Sequence, residues 1–248
     1  MSRRAAGLVV LGIAAYLAFL VALLPARVVT SRIVLPPGLA LESVEGSVWH
    51  GHATLSARAL SPQAALDLDW HWRPLALLSG RMAYEVVAHG ANLQAHGVLS
   101  QGPRVQSLDD VALEADAASI AAWIPLASAW QPAGRVRASI ERLAWDGREL
   151  QGQAQAQWTD AALALTTVRP VGDYTMKLDG AGGPARVTLA TVKGPLRIAG
   201  DGTLEGMARF AFTGEARAEG PQADALAPLL DLLGPRRPDG SRALRFAS

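Results

Sequence analysis

The chain has 248 residues, half of them apolar, a formal net charge of +1 and no cysteine. This apolar content is enough for one large or two small domains, and the near-neutral charge argues against a nucleic-acid partner. The lack of cysteine excludes disulfides, thiol nucleophiles, thiolate metal sites and a lipidated cysteine anchor.

The first hydrophobic stretch, Ala5 to Ala26, contains no charged residue and follows two arginines. About 20 apolar residues are enough to cross the hydrocarbon core of a bilayer. We therefore predict that residues 1–26 form a cytoplasmic start and one transmembrane anchor, Ala5 to Leu24, with the rest of the chain outside the cytoplasm. A cleaved signal peptide has a similar outline, but Leu24 and Pro25 lie where a signal peptidase prefers small residues.

Residues 27–40 are predicted to be a connector. The segment Ser31 to Leu41 includes two prolines and a glycine, so it is not expected to form a regular helix. From Leu41 onward apolar and polar residues alternate, as in half-buried antiparallel strands. The clearest case has Leu66, Leu68, Trp70 and Trp72 on one face and Asp67, Asp69 and His71 on the other. Similar short segments recur about every ten residues, with glycine-rich breaks at Gly180 to Pro184 and Gly200 to Gly202. Residues 41–248 are thus predicted to form a mainly β domain, a curved antiparallel sheet with one face covered.

Two segments have the helical period and are predicted to be short helices that pack on the sheet. The first follows Asp116 as N-cap, and Pro125 should end it near Ile124. The second is closed by Gly234 at the C-terminal cap position and by Pro235. Their apolar stripes are Ile120, Trp123, Ile124 and Ala127, and Leu226, Leu229, Leu230 and Leu233.

The surroundings of the two helices look alike, since each lies between two strands. We infer a weak internal duplication of residues 105–145 and 208–248. The alternative is that both are ordinary helical corners of a β domain.

Histidines and carboxylates offer the first candidates for chemistry. His50 and His52 would share a strand face, but no third metal ligand is evident nearby. Asp67, Asp69 and His71 alternate with bulky apolar residues, as any exposed strand face does. No nucleophile elbow, phosphate loop or dinucleotide fingerprint occurs. We predict no catalytic residue, no metal site and no cofactor.

Trp49 is the tryptophan whose setting is most distinctive, because it stands between Gly46 and Gly51 near the start of the β domain. Core packing is the ordinary role of a tryptophan, yet a large ring among small residues also suits a contact anchor. Gly46, Trp49 and Gly51 are therefore our candidate interaction surface.

Small residues occupy several positions on the predicted covered face. They favour close packing of helices, and the alternative is a shallow apolar groove for a lipid-like ligand. These positions are Ala138, Ala154, Ala156, Ala208, Ala216 and Ala218.

Several motifs, in order, resemble the type II secretion system protein N family. The first is Gly46-Ser47-Val48-Trp49-His50-Gly51, which matches the family's Gly-small-aliphatic-Trp-x-Gly signature. The others are Gly152 to Asp160, Pro170 to Tyr174, Gly194-Pro195-Leu196 and Pro238-Asp239-Gly240. With the anchor, the resemblance covers essentially the whole chain.

This resemblance implies a single-pass inner-membrane protein with a periplasmic β-rich domain, a non-enzymatic part of the machine that exports folded proteins across the outer membrane. Its partners would be other secretion components, contacted for example by β-augmentation at a free strand edge. The chain also looks like the β-groove proteins of the AsmA type, which implies the alternative of lipid binding along an apolar groove.

Overall fold

The computed structural model describes residues 23–30, 35, 38–57, 64–206 and 209–247. In this part of the chain thirteen strands form one open antiparallel sheet, and each strand pairs with the strands before and after it in sequence. The prediction of a mainly β, antiparallel fold is confirmed.

The strands lengthen toward the middle of the sheet and shorten again at its end. They are β1 (Ala40–Gly46), β2 (His50–Ser56), β3 (Ala65–Trp72), β4 (Met82–Gly90), β5 (Leu93–Gln101), β6 (Gln106–Asp116), β7 (Ala133–Trp145), β8 (Leu150–Ala162), β9 (Gly172–Ala181), β10 (Ala185–Lys193), β11 (Leu196–Glu205), β12 (Arg209–Ala218) and β13 (Arg242–Ala247).

The pairing register gives the sheet one apolar face. Residues directly opposite each other on neighbouring strands share a face, so a row of partners can be followed across the sheet. One such row runs from β2 to β13 without a polar side chain: Ala53, Leu68, Ala88, Ala95, Leu113, Ala138, Ala156, Met176, Leu189, Gly200, Gly214 and Leu244. The adjacent row is mostly polar and includes Asp67, His89, Glu114 and Arg137. The alternation along each strand is thus continued across twelve strands.

Bulges interrupt the ladder without mixing the two faces. Strand β6 has one extra residue relative to β5, beside Asp110 with φ of 51°, and β7 has one extra residue relative to β8 near Arg142. Because β6 and β7 each carry one extra residue, these two strands stay in register with each other.

One helix lies at the start of the sheet, a 3₁₀ helix follows β3, and three further helices lie on the apolar face. They are α1 (Ala26–Thr30), a 3₁₀ helix (Pro74–Ser79), α2 (Ala117–Ala121), α3 (Pro125–Ser128) and α4 (Ala223–Leu233). The first predicted helix is therefore two short ones: Asp116 is the N-cap residue of α2, and Ile124 is extended before Pro125, which begins α3.

Helix α4 occupies the second predicted position and covers the last strands. Leu226 and Leu229 are almost fully buried against a core that includes Leu196, Phe212 and Leu244. Gly234 follows the helix as predicted, but its φ of 163° is extended and not the left-handed conformation usual for a C-terminal glycine.

The predicted break at Gly200 to Gly202 is wrong, because both glycines lie inside β11. The ring of Phe212 on β12 lies over this part of β11, and a Cβ at Gly200 would meet it at 2.5 Å. Glycine here makes room for a neighbouring ring and does not end the strand.

The predicted anchor, Ala5 to Leu24, lies almost wholly outside the described residues, as does Ala208. Within the described part of the chain, no helix has the length and apolar character needed to cross a membrane. Helix α1 lies where the predicted connector begins.

Candidate functional site

The turn between β1 and β2 holds the three residues predicted as an interaction surface. Gly46 has a φ of +84°, which favours glycine, and the Ser47 amide donates to the His50 carbonyl at 2.8 Å. The Ser47 hydroxyl oxygen accepts hydrogen bonds from the amides of Trp49 at 3.2 Å and His50 at 3.3 Å. Four of the six motif residues therefore have a direct structural role in closing the turn.

The ring of Trp49 is half-buried because it packs on β3. Its centroid lies 4.5 Å from that of Trp72, and the Trp72 amide donates to the Trp49 carbonyl at 2.6 Å. Next to it, the Trp70 ring nitrogen donates to the Ser47 carbonyl at 3.2 Å. The rings of Trp70 and Trp72 thus attach the β1–β2 turn to β3.

Gly51 leaves the space that the Trp70 ring occupies, because it has no side chain. A Cβ at this position would meet that ring and would lie 2.6 Å from the Glu45 carbonyl oxygen. The second glycine of the motif is thus required by packing. The structure brings Gly46, Trp49 and Gly51 together, and leaves part of the Trp49 ring accessible.

The described chain enters the sheet at this same turn. The Val48 amide donates to the Leu24 carbonyl at 3.0 Å, and Pro25 forms a bridge with Ser47. The Arg27 Nε donates to the Val44 carbonyl at 2.8 Å. Any segment that precedes Leu24 therefore joins the described chain at the end of the sheet where Trp49 lies.

His52 and two aspartates form a small polar cluster on the polar face of the sheet, opposite the face that carries Trp70 and Trp72. The His52 Nδ1 lies 3.0 Å from an Asp69 oxygen, and Thr54 donates to Asp67 at 2.9 Å. His50 does not join them and contacts Ser47 instead. In the ranges that the structure describes, no group of three ligating side chains is placed to hold a metal ion. The cluster is a hydrogen-bonded surface on an open strand face, with its side chains about half exposed.

A cavity of about 400 Å³ lies between the helices and the apolar face of the sheet. Its walls come from α2, α3 and α4, and its floor from β7 to β11, including Val136, Trp158, Leu189 and Ile198. Five neighbouring strands therefore contribute to one cavity.

Motifs in the second half of the chain meet at the floor of this cavity. Tyr174 packs against Trp158, with ring centroids 5.9 Å apart, and its hydroxyl donates to the Leu196 carbonyl at 3.0 Å. Burial, with a smaller contribution from the Asp173 charge, raises the pKa of Tyr174 above its usual range. Gly194, with φ of +124°, lies so close to Gly172 that a Cβ would collide with it. These motif residues form one packing unit that spans β8, β9 and the start of β11.

The alanines predicted on the covered face divide into two groups. Ala216 is fully buried in the core beneath α4, and Ala218 packs against that core. Ala138, Ala154 and Ala156 remain partly exposed in the middle of the sheet. Close helix packing therefore explains Ala216 and Ala218. Ala138, Ala154 and Ala156 instead border an open part of the apolar face.

Sequence reasoning missed the turn between β3 and β4. We call residues 73–81 the leucine turn; it contains the 3₁₀ helix and exposes Leu75, Leu77 and Leu78. The signal was present as a run of leucines between Arg73 and Arg81, but its period fits neither strand nor helix.

Comparison with known proteins places the chain in a family. The model of type II secretion system (T2SS) protein N matches residues 37–245, which include the whole sheet up to β13. The chain belongs to the type II secretion system protein N family. The resemblance found in the sequence motifs is thereby confirmed.

A curated relative supports this assignment. The chain is 30% identical over 164 residues to a protein of Vibrio cholerae serotype O1 named "Type II secretion system protein N". The match covers 61% of this chain and 63% of the relative, so the chain spans less than two thirds of that protein's length. No solved structure matches the chain.

Proposed function

We propose that the chain is a non-enzymatic component of the type II secretion system that acts through protein contacts in the export of folded proteins. In this proposal Ala5 to Leu24 crosses the inner membrane and the sheet lies in the periplasm. The observation that carries it is the family match over residues 37–245, which includes almost the entire described sheet. The uncharged stretch from Ala5 to Leu24 supports the anchor.

The lack of an enzymatic role is supported by the nature of the polar groups. His52, Asp67 and Asp69 are about half exposed on an open strand face. A general base and a nucleophile in a closed cleft would be expected of a hydrolase. The buried Tyr174 hydroxyl already donates its proton to the Leu196 carbonyl, and burial raises its pKa, so it is poorly suited to act as a nucleophile.

Two surfaces are available for partner contacts. One is the turn of Gly46, Trp49 and Gly51, where a partly exposed aromatic ring is held rigidly by its neighbours. The other is the outer edge of β13, where hydrogen bonds to residues 235–237 engage Ser241 and Ala243. Beyond Ala243, no strand in the described ranges pairs with the outer side of β13. A partner strand would add there by β-augmentation.

The edge of β1 is less suitable for such pairing. Its ladder with β2 is interrupted by a bulge between Glu42 and Glu45, and Arg27 engages the Val44 carbonyl. Bulges and charged side chains are the usual means by which proteins protect an edge strand.

Genetic deletion tests the proposal most directly. Loss of secreted enzymes from the medium, restored by the wild-type gene, is the expected result. Unchanged export in the deletion strain would overturn the assignment to secretion.

A photo-crosslinking residue at Trp49 then tests the contact surface in cells. A matched probe at Arg186, which is exposed on the polar face of β10, controls for random proximity. Adducts to other secretion components at Trp49 alone would support the interface, whereas equal adducts at both positions would contradict it.

A second candidate function is lipid binding on the apolar face. The cavity of about 400 Å³ favours it, because its walls are aliphatic and aromatic and its volume lies within the range of small-molecule sites. Half-exposed Ala138, Ala154 and Ala156 extend the apolar surface beside it.

Native mass spectrometry of the purified chain tests this second function. Ala127→Trp would fill the cavity and should remove a co-purified lipid, whereas Ala227→Trp on the exposed side of α4 should not. Protein that carries no lipid in either form would exclude the groove function.

A further inference from the structure

The leucine turn exposes three large apolar side chains at one end of the sheet. Leu75 is 78% exposed, Leu77 52% and Leu78 88%, and no residue of the 3₁₀ helix is buried. Single exposed leucines are common on protein surfaces, but three within four residues form a patch that marks an interaction site.

The turn has a fixed shape that holds these side chains outward. The Gly80 amide donates to the Leu77 carbonyl at 2.9 Å, and the Arg81 amide donates to the Ala76 carbonyl at 3.2 Å. At the other end the Arg73 amide donates to the Ala83 carbonyl at 2.8 Å. The backbone is thus satisfied internally, so the leucines are not exposed through lack of local structure.

Arginines outnumber carboxylates around the leucines. The depression beside Leu75 is lined by three arginines and two aspartates: Arg73, Arg81, Arg142, Asp109 and Asp110. Arg73 and Arg81 flank them, and residues 73–81 include no acidic side chain. The neighbouring loop between β5 and β6 adds Arg104 and the exposed Val105, and a shallow depression is lined by Arg81, Arg104 and Val105 together. Apolar tips surrounded by arginines are typical of segments that enter the interface of an anionic bilayer.

The position of the turn points to the same occupant. Trp72, directly before the turn, is hydrogen-bonded to Trp49, and the adjacent Val48 is hydrogen-bonded to Leu24. The leucine turn and the end of the uncharged N-terminal stretch therefore lie at the same end of the sheet. If that stretch spans the inner membrane, the leucines lie beside the same bilayer.

We propose that the leucine turn inserts into the boundary between headgroups and acyl chains of an anionic bilayer. Leu75, Leu77 and Leu78 contact acyl chains, while Arg73 and Arg81 face lipid phosphates. This inference rests on the proposed anchor, Ala5 to Leu24. The second attachment point fixes the orientation of the sheet relative to the membrane, which a single anchor would leave free.

Site-specific fluorescence tests the proposal, and the absence of native cysteine makes each label unique. The full chain carrying Leu78→Cys is labelled with a polarity-sensitive fluorophore and placed in nanodiscs containing phosphatidylglycerol. A matched Asn92→Cys label lies on the turn at the opposite end of β4. Lipid-attached nitroxide should quench the Leu78 label at least threefold more than the Asn92 label, and aqueous iodide should show the reverse order.

Charge and anchoring are tested in the same system. Arg73→Gln combined with Arg81→Gln should reduce nitroxide quenching of the Leu78 label at least twofold, as should replacing the anionic lipid by phosphatidylcholine. A label at Leu78 as open to iodide as that at Asn92, on a chain that still co-elutes with nanodiscs, would overturn the leucine-turn proposal alone. Protection of that label only on addition of other secretion components would also overturn it, in favour of a protein partner. A chain that fails to co-elute would overturn both this proposal and the anchor.

Discussion

Gly51→Ala separates packing from binding as the role of the Gly46 to Gly51 motif. The new methyl group would collide with the Trp70 ring and lie 2.6 Å from the Glu45 carbonyl oxygen. Moving the ring breaks its hydrogen bond to the Ser47 carbonyl, worth about 1 kcal/mol. Overpacking adds roughly 1–3 kcal/mol, so the expected loss of stability is about 2–4 kcal/mol.

Thermal unfolding of the full chain in detergent, followed by tryptophan fluorescence, measures this loss. The melting temperature should fall by about 2–4 °C for each kcal/mol in a chain of this size. Gly183→Ala is the matched control, because a Cβ there meets no atom within 4 Å and the change should cost less than about 0.5 kcal/mol.

A second substitution identifies the cause of the loss. In a Trp70→Leu background the collision with the ring is absent and only the close contact with the Glu45 carbonyl oxygen remains, so Gly51→Ala should cost less than it does in the wild type. The reasoning would be refuted if Gly51→Ala melted like the wild type and still abolished export of secreted proteins. Gly51 would then serve a partner surface and not the packing of Trp70.

Three further predictions concern the core beneath α4 and the cavity floor. Leu229→Ala should destabilise the chain by about 3–4 kcal/mol because Leu229 is 1% exposed, whereas Leu232→Ala, 66% exposed, should change denaturant midpoints little. Ala216→Leu should cost about 1–3 kcal/mol in the same assay, since Ala216 has no free space beneath α4; unchanged stability would mean that the helix can move away. Burial raises the pKa of Tyr174, so the folded state holds this proton above pH 10 while the unfolded state releases it. Stability should therefore fall as pH rises above about 10, and Tyr174→Phe should remove that part of the fall. A titration followed at 295 nm that shows all tyrosines ionising together would contradict this.

The local sequence was sufficient to predict strand type and the position of the long helix. Alternation such as that from Leu66 to Trp72 depends only on which side chains avoid water, and that preference is local. The stripe from Leu226 to Leu233 was equally clear, because four leucines at helical spacing can be buried only on one side. The family resemblance also followed from short motifs, and the match over residues 37–245 confirmed it.

The glycines show where local reasoning failed. Gly200 and Gly202 have the composition of a turn, yet they lie in a strand because the Phe212 ring occupies the space above them. That ring is about ten residues away in sequence and is brought close only by strand pairing. Likewise Gly234 is extended and not left-handed, since the Ala243 carbonyl lies against it.

The sequence by itself determined that the chain forms an antiparallel β domain with two helical sites and a hydrophobic start. Only the tertiary structure decided that the apolar rows align across twelve strands, because register is set by cross-strand partners that no local window contains. The same is true of the end of the sheet, where Leu24, Trp49 and the leucine turn meet through hydrogen bonds between segments some 25 residues apart. Their common location, on which the membrane-contact proposal depends, is a property of the fold.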